Sequence, residues 1–269
     1  MTRPPDSAYL VCATPRSGST LLCEMLRATG VAGSPREHFE VLRHSGRPRQ
    51  PREYFADVAD PRVLELLAPL EPDRPSGELP SAWRERIVRG GQTPNGVWGG
   101  KLMWGHVADL LARARALDDL RGADLLTVLR VLLGDVRFVF ITRADKVSQA
   151  VSLWRAVQTR RWRAEASAPR RPHDAVYHFG AIDHLVRRLE ADEAAWRAWF
   201  ETMPTGPGRP LELAYEAIAD EPRAAVEQVL GFCGFTGVAI GDPPLRHQRD
   251  ALSQEWVVRY LTQKREAAA

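Results

Sequence analysis

Residues 14–20, Thr-Pro-Arg-Ser-Gly-Ser-Thr, concentrate side chains that are suited to binding an anion. Arg16 supplies a permanent positive charge with several N–H donors, and three hydroxyl side chains lie close by. Gly18 lets a ligand approach the backbone closely. From Leu21 onwards, apolar residues recur at three- and four-residue spacing, which indicates a helix whose first turn offers backbone N–H groups to an anion. The stretch therefore predicts a phosphate site.

This loop differs from the P-loop of ATP- and GTP-hydrolysing proteins. Ala13 stands at the first P-loop glycine, Gly18 at the second, and Ser19 where the P-loop has its lysine. Without that lysine, hydrolysis of a nucleoside triphosphate is not expected. The plainer alternative is a capped helix after a strand, which accounts for one hydroxyl residue but poorly for the whole run.

The elements around this loop indicate an α/β fold with a parallel central sheet. Residues 9–13 and 136–142 are apolar runs typical of buried strands, and residues 96–103 lead into another strand. Residues 210–214 indicate one more strand. Helical patterns lie between and after these strands, at residues 62–70, 81–89, 106–115, 123–133, 145–162, 174–200 and 222–232, and in a last helix that ends near Glu266. Alternating strands and helices favour a parallel sheet that is covered on both faces.

Polar residues from distant parts of the chain fall close to these strands, most of them at a strand end. They are Arg16, Lys101, Arg143 and Tyr215. Ligands of parallel sheets bind beyond the carboxyl ends of the strands. We therefore expect these four side chains to meet at one edge of the sheet.

The loop resembles the 5′-phosphosulfate loop of sulfotransferases, whose usual form is Pro-Lys/Arg-Ser-Gly-Thr/Ser-Thr. Residues 9–13, 26–33, 94–104 and 147–159 narrow the similarity to the bacterial trehalose 2-sulfotransferase family. The resemblance covers nearly the whole chain. It implies a P-loop-like three-layer sandwich, the sulfotransferase fold, and 3′-phosphoadenosine 5′-phosphosulfate (PAPS) as the sulfate donor.

The resemblance also assigns donor-binding roles. The donor-binding residues that it implies are Pro15, Arg16, Ser17, Gly18, Ser19, Thr20, Arg143, Ser152, Tyr215, Gln248 and Arg249. Arg143 and Ser152 would hold the 3′-phosphate, although Ser152 lies nine residues after Arg143, one more than the family spacing, and Ser148 shares its helix face. The plainer alternatives are a surface ion pair for Arg143, a half-buried core position for Tyr215 and a solvated charge run for residues 246–249.

Glu37 is the candidate general base, because Pro35-Arg36-Glu37-His38-Phe39 is similar to the segment that holds the family's catalytic glutamate. Arg16 and Lys101 are the other candidate catalytic residues and would offset charge on the leaving group. His38 and His106 are lesser candidates for the base. A surface carboxylate is the plainer alternative for Glu37.

Acceptor binding is expected from Ser34, Glu37, His38 and Trp104. At Ser34 the family carries an acidic residue instead, so trehalose or a related glycoside is the expected acceptor. A different acceptor, such as a lipid or natural product, and a nucleotide-binding protein without catalysis are the alternatives. A tryptophan beside the site can stack on a sugar, but most tryptophans of the chain are expected in the core.

Composition sets wider limits on the chain. The net charge of +3 suits a small anionic ligand but does not favour nucleic acid, and 44% hydrophobic residues are ordinary for a globular protein. Three cysteines, Cys12, Cys23 and Cys233, match no metal-site spacing. We expect a single domain over residues 1–269, no metal, no membrane span and a cytoplasmic location. The resemblance implies a homodimer.

Overall fold

A computed structural model describes residues 4–39, 49–71, 77–162, 175–203, 208–243 and 251–269. Within these ranges, four strands form one parallel sheet in the order β2-β1-β3-β4. The strands are β1 (Ser7–Ala13), β2 (Val97–Met103), β3 (Val136–Thr142) and β4 (Leu211–Ala214). β1 and β2 read as nearly continuous buried runs, as expected for parallel strands that are covered on both faces.

Alternate residues of β1 enter two separate hydrophobic clusters. Leu10 and Cys12 join a cluster on one face of the sheet, and Tyr9 and Val11 join a cluster on the other. The first face is covered by α3 (Pro80–Gly90), α4 (Val107–Ala114), α5 (Leu125–Leu133) and part of α7 (Phe179–Glu201). The second is covered by α1 (Ser19–Ala28), α8 (Tyr215–Asp220) and α9 (Pro222–Phe232). This arrangement confirms the three-layer α/β architecture.

A third cluster lies beside the sheet and joins helices from distant parts of the chain. It packs α6 (Lys146–Thr159), α7, α10 (Ala251–Glu266) and α2 (Pro61–Glu65) around Phe55 and Trp154. The Phe55 and Trp154 rings meet edge to face with their centroids 5.4 Å apart. Because α6 follows β3 after three residues, this cluster fixes the helix that leaves the strand end beside Arg143.

Several predicted bounds agree with the structure and others need correction. β3 and α9 span the predicted residues. α6 ends at Thr159 rather than at residue 162, because Arg160 is left-handed, with a φ of 56°. α2 ends at Glu65 rather than at residue 70, since Pro69 cannot continue a helix and restricts the residue before it.

Two further corrections concern the start of one helix and the presence of another. α7 begins at Phe179, because the His178 ring accepts a hydrogen bond from the Ala181 N–H and caps the helix there. α8 was not predicted at all, since its six residues are too few to show a periodic pattern. In the described part of the chain, no helix is long and apolar enough to cross a membrane.

Candidate active site

The loop between β1 and α1 contains two residues in the left-handed region. Arg16 has a φ of 64° and Gly18 a φ of 78°. A Cβ atom at Gly18 would lie 2.8 Å from Cδ2 of Tyr215, so glycine is needed there both for its φ and for space. Among the described residues, no side chain caps α1 and its first turn holds no acidic residue. The start of α1 is therefore suited to an anion.

Arg16 and Arg143 meet at the carboxyl ends of β1 and β3. Arg143 Nη1 donates to the Arg16 carbonyl oxygen at 2.8 Å, and Arg16 Nε donates to Ser152 Oγ at 2.9 Å. Arg16 Nη1 also donates to the Trp162 carbonyl oxygen at 2.6 Å. The Arg143 guanidinium lies over the Tyr215 ring, 4.0 Å from its centroid. The predicted 5′ loop and the predicted 3′-phosphate residues are thus neighbours.

The electrostatics of this pair favour a bound anion. Burial, and after it the positive charge of Arg143, lower the pKa of Arg16 to about 10. Arg16 therefore stays charged at neutral pH, although its charged form is less stable than in water. A phosphate beside both guanidinium groups would relieve their repulsion and bind with charge-assisted hydrogen bonds.

Glu37 and Lys101 form an ion pair on another wall of the site. Lys101 Nζ lies 2.7 Å from Glu37 Oε1 and donates to Thr20 Oγ1 at 3.3 Å. The Lys101 side chain is 7% exposed and that of Glu37 23%, so the carboxylate is the more accessible partner. Arg36 pairs with Gly100 in the middle of β2, and its carbonyl oxygen accepts from the Lys101 N–H at 2.9 Å. This pairing places Glu37 beside Lys101.

These groups line one cavity of about 910 Å³. That volume falls within the range of small-molecule sites. The predicted residues in its lining are Pro15, Arg16, Gly18, Ser19, Thr20, Glu37, Lys101, Arg143, Ser152 and Tyr215. Ser148, the alternative to Ser152, and His106 also line it. One cavity therefore contains cationic groups, the start of a helix and an accessible carboxylate.

The family assignment follows from sequence comparison. Residues 8–263 match the family model for the Stf0 sulphotransferase. This chain belongs to the Stf0 sulphotransferase family. Two curated relatives are both named trehalose 2-sulfotransferase. The protein from Mycobacterium tuberculosis strain Erdman is 48% identical over 94% of this chain and 93% of its own, and that from Mycolicibacterium smegmatis is 46% identical over 94% of both chains.

The chain is therefore a sulfotransferase. Its central parallel sheet, with helices on both faces, is the sulfotransferase fold. Among solved structures, it is similar to the sulfotransferase domain of the curacin biosynthetic pathway. That domain is 15% identical with a TM-score of 0.45, and the match covers 93% of this chain and 80% of that one.

Several residues that the sequence predicts for this sulfotransferase site lie outside the cavity lining. Ser17 is fully buried, and its hydroxyl has no hydrogen-bond partner among the described residues, which fits a loop that completes its contacts with a ligand. His38 Nε2 bonds to the Ser34 carbonyl oxygen at 2.8 Å, and burial lowers the pKa of this ring. The Trp104 ring packs against Trp196 with centroids 5.0 Å apart.

The roles predicted for these four residues stay predictions. Gln248 and Arg249 lie outside the described residues. Among the described residues, no group of three His, Cys, Asp or Glu side chains could hold a metal ion.

The sequence did not indicate the apolar wall of the cavity. Tyr54 and Trp162 contribute to this wall, with ring centroids 5.8 Å apart, and Val257 of α10 also lines it. Residues 43–53 were predicted to form an exposed loop, but in the described part of that range Pro51 is buried and begins a 3-10 turn, Pro51–Phe55. The same turn also buries Tyr54 and Phe55. The pair of aromatic residues after Pro51 was the available signal. Nothing in the pattern of α10 indicates which element it faces.

Proposed function

We propose that this sulfotransferase moves the sulfuryl group from PAPS to the 2-hydroxyl of trehalose, with Glu37 as the general base. The observation that carries the proposal is the Glu37–Lys101 pair, 2.7 Å apart and next to the phosphate-type loop in the same cavity. The names of the two relatives support the acceptor. The adjacent Arg16 and Arg143 support a donor with a phosphate at both its 5′ and 3′ positions.

In the proposed sulfuryl transfer, each group of the site has a separate role. Glu37 accepts the proton of the sugar hydroxyl, whose oxygen forms the new bond to sulfur. The bond between sulfur and the 5′-phosphate oxygen breaks, and 3′-phosphoadenosine 5′-phosphate (PAP) leaves. Lys101, Arg16 and the N–H groups of the first turn of α1 stabilise the negative charge that grows on the leaving oxygen. Tyr215 and Ser152 hold the nucleotide.

The test is transfer of radiolabelled sulfate from PAPS to a panel of disaccharides. Glu37→Gln keeps the size of the side chain but removes the proton acceptor, so turnover should fall by roughly 10²–10⁴-fold, the contribution of a general base. PAP binding should stay unchanged, because the loop and Arg143 lie on other segments. The assay contains excess EDTA, since Arg16 and Lys101 are proposed to supply the positive charge without a metal.

His38→Ala is the control and should retain most of the turnover, because its ring bonds to a backbone carbonyl outside the cavity lining. Near-full turnover of Glu37→Gln together with loss in His38→Ala or His106→Ala would show that a histidine is the base. Labelling of another sugar in preference to trehalose would change the acceptor and leave the donor proposal standing.

We also propose a homodimer, as the resemblance implies, and a cytoplasmic location, where PAPS is made. Two apolar residues of α10 support the homodimer. Leu261 is 41% exposed, and Val258, which also lines the cavity, is 64% exposed one turn away. Sedimentation equilibrium should give twice the chain mass, and Leu261→Glu, at a position outside the cavity lining, should shift the protein towards the monomer. A monomeric wild type at the enzyme concentration of the assay would contradict this prediction.

A further inference from the structure

The backbone that carries Arg143 is held by a carboxylate from another layer of the fold. Glu193, on α7, accepts from the Arg143 N–H through Oε2 at 3.3 Å. The same oxygen lies 2.9 Å from Nζ of Lys146, and Lys146 also donates to the Arg143 carbonyl oxygen. Glu193 and Lys146 are 14% and 13% exposed in their side chains, so water screens the pair weakly. Both backbone groups of Arg143 therefore connect to the Glu193–Lys146 pair.

A second carboxylate takes the next N–H groups along the chain. Glu216 Oε1, on α8, accepts from the Ala144 N–H at 3.1 Å and lies 3.5 Å from the Asp145 nitrogen. Asp145 caps α6 by accepting from the Ser148 N–H at 2.8 Å. Because carboxylates occupy these N–H groups, a phosphate bound here would depend on side chains, above all on that of Arg143.

The position of the Arg143 guanidinium then depends on where its backbone is fixed. Nη1 reaches the Arg16 carbonyl oxygen at 2.8 Å while the group lies over the Tyr215 ring. A long side chain binds a phosphate more tightly where its Cα and its rotamer are already restrained, since ordering it on binding costs conformational entropy. Tyr215 restrains the guanidinium, and Glu193 restrains the backbone.

We propose that Glu193 is a positioning residue: by holding the backbone of Arg143 through its N–H and Lys146, it sets the preference for a nucleotide that carries a 3′-phosphate. This inference rests on the proposed PAPS donor. The plainer alternative is an ion pair that only stabilises the fold. The two differ in one measurable quantity, because a purely stabilising pair has no reason to affect a 3′-phosphate more than a 5′-phosphate.

The experiment measures the affinities of PAP and adenosine 5′-phosphate by calorimetry for the wild type, Glu193→Ala, Glu193→Gln and Glu212→Ala. Glu212 is the matched control, since in the described part of the chain its carboxylate pairs with Arg197 at 3.4 Å, a residue that Glu193 also approaches, at 3.9 Å. Glu212→Ala removes one negative charge, as Glu193→Ala does, but leaves the hydrogen bond from the Arg143 N–H to Glu193 in place.

In Glu193→Ala, the PAP affinity should fall by about tenfold to a hundredfold, as for loss of a hydrogen bond to a charged group, with adenosine 5′-phosphate within about twofold. The PAP affinity of Glu193→Gln should lie between those of the wild type and Glu193→Ala, because the glutamine amide oxygen still accepts from the Arg143 N–H. Glu212→Ala should match the wild type.

If the ratio of PAP affinity to adenosine 5′-phosphate affinity in Glu193→Ala equals that of the wild type, whether or not both affinities fall, the inference is wrong. If that variant does not fold, the ratio in Glu193→Gln decides in the same way. A wild type with equal affinity for both nucleotides would instead contradict the proposed donor, so the two failures are distinguishable.

Discussion

At the scale of single residues, the loop before α1 depends on two backbone conformations as much as on its charges. Gly18 is left-handed and lies against the Tyr215 ring, and Arg16 is left-handed without being glycine. A non-glycine residue in this region is uncommon and costs free energy. The contacts of the Arg16 side chain with Ser152 and the Trp162 carbonyl restrain it in the folded protein.

Gly18→Ala should weaken nucleotide binding as well as stability. Its Cβ meets the Tyr215 ring at 2.8 Å, so either the ring or the loop must move, and both belong to the site. Gly30→Ala is the matched control, because Gly30 has a φ of 72° but a Cβ there meets nothing within 4 Å. The control should lose about 1–2 kcal/mol of unfolding free energy, as expected for left-handed strain alone.

The measurements are urea unfolding and PAP affinity for both variants. Gly18→Ala should lose at least as much stability as the control and also bind PAP more weakly, while Gly30→Ala should bind it normally. Equal PAP affinities in Gly18→Ala and the wild type would mean that the approach of Tyr215 to the loop has no part in binding.

The sequence predicted this residue-level site only in part. Arg16, Lys101, Arg143 and Tyr215 meet as expected, since the ends of parallel strands share one edge of the sheet. The Glu37–Lys101 ion pair could not be predicted from spacing, because it depends on Arg36 pairing with Gly100 of β2. Glu193 gave no signal either, since its hydrogen bond to the Arg143 N–H joins residues fifty positions apart.

At the scale of elements, helix starts depend on capping side chains. Asp124 caps α5 by accepting from the Thr127 N–H at 2.7 Å, and Asp145 caps α6 in the same way. Asp145 stands at the start of the helical pattern predicted over residues 145–162. The start of α7 was predicted too early, because its His178 cap is a residue type that propensities do not indicate.

Asp124→Ala should destabilise the protein at neutral pH by about 1 kcal/mol, the usual loss for a removed cap. The hydrogen bond from the Thr127 N–H holds the pKa of Asp124 below its ordinary value. Its contribution is therefore complete above the pKa of the unfolded chain, near 4, and disappears as the pH falls through the lower folded-state value.

Urea unfolding at pH 7 and at pH 3 measures this difference. The variant should be less stable than the wild type at pH 7, and the gap should narrow at pH 3. Asp118→Ala is the control, because this aspartate pairs with Arg121 on the surface and is 95% exposed, so its loss should change little at either pH. A gap that does not depend on pH would contradict the capping role.

At the scale of the whole molecule, two hydrophobic layers pack against opposite faces of the same sheet. Alternation along β1 sends neighbouring residues to opposite layers, and this could be predicted once the strand was known. The packing of α6, α7 and α10 in the third cluster could not, because amphipathic patterns show which face of a helix is buried and not what covers it. The apolar wall of the active site was missed for that reason.

The reactivity of the three cysteine thiols can show whether both layers unfold together, as expected for a single domain. Cys12 lies in the first layer, and Cys23 and Cys233 lie in the second. All three are buried, and burial raises the pKa of Cys23 to about 12 and that of Cys233 to about 11, so little thiolate is available to react. We expect no alkylation by iodoacetamide in native buffer.

With rising urea, the three thiols should become reactive at one midpoint, which should match the loss of circular dichroism. Peptide mapping by mass spectrometry assigns each modified cysteine. Saturating PAP should move all three midpoints upwards together, because a ligand that binds only the folded chain stabilises the whole cooperative unit. Modification of Cys23 and Cys233 at a lower urea concentration than Cys12 would instead show that the layer of α1 and α9 opens independently, and the single-domain prediction would then be wrong.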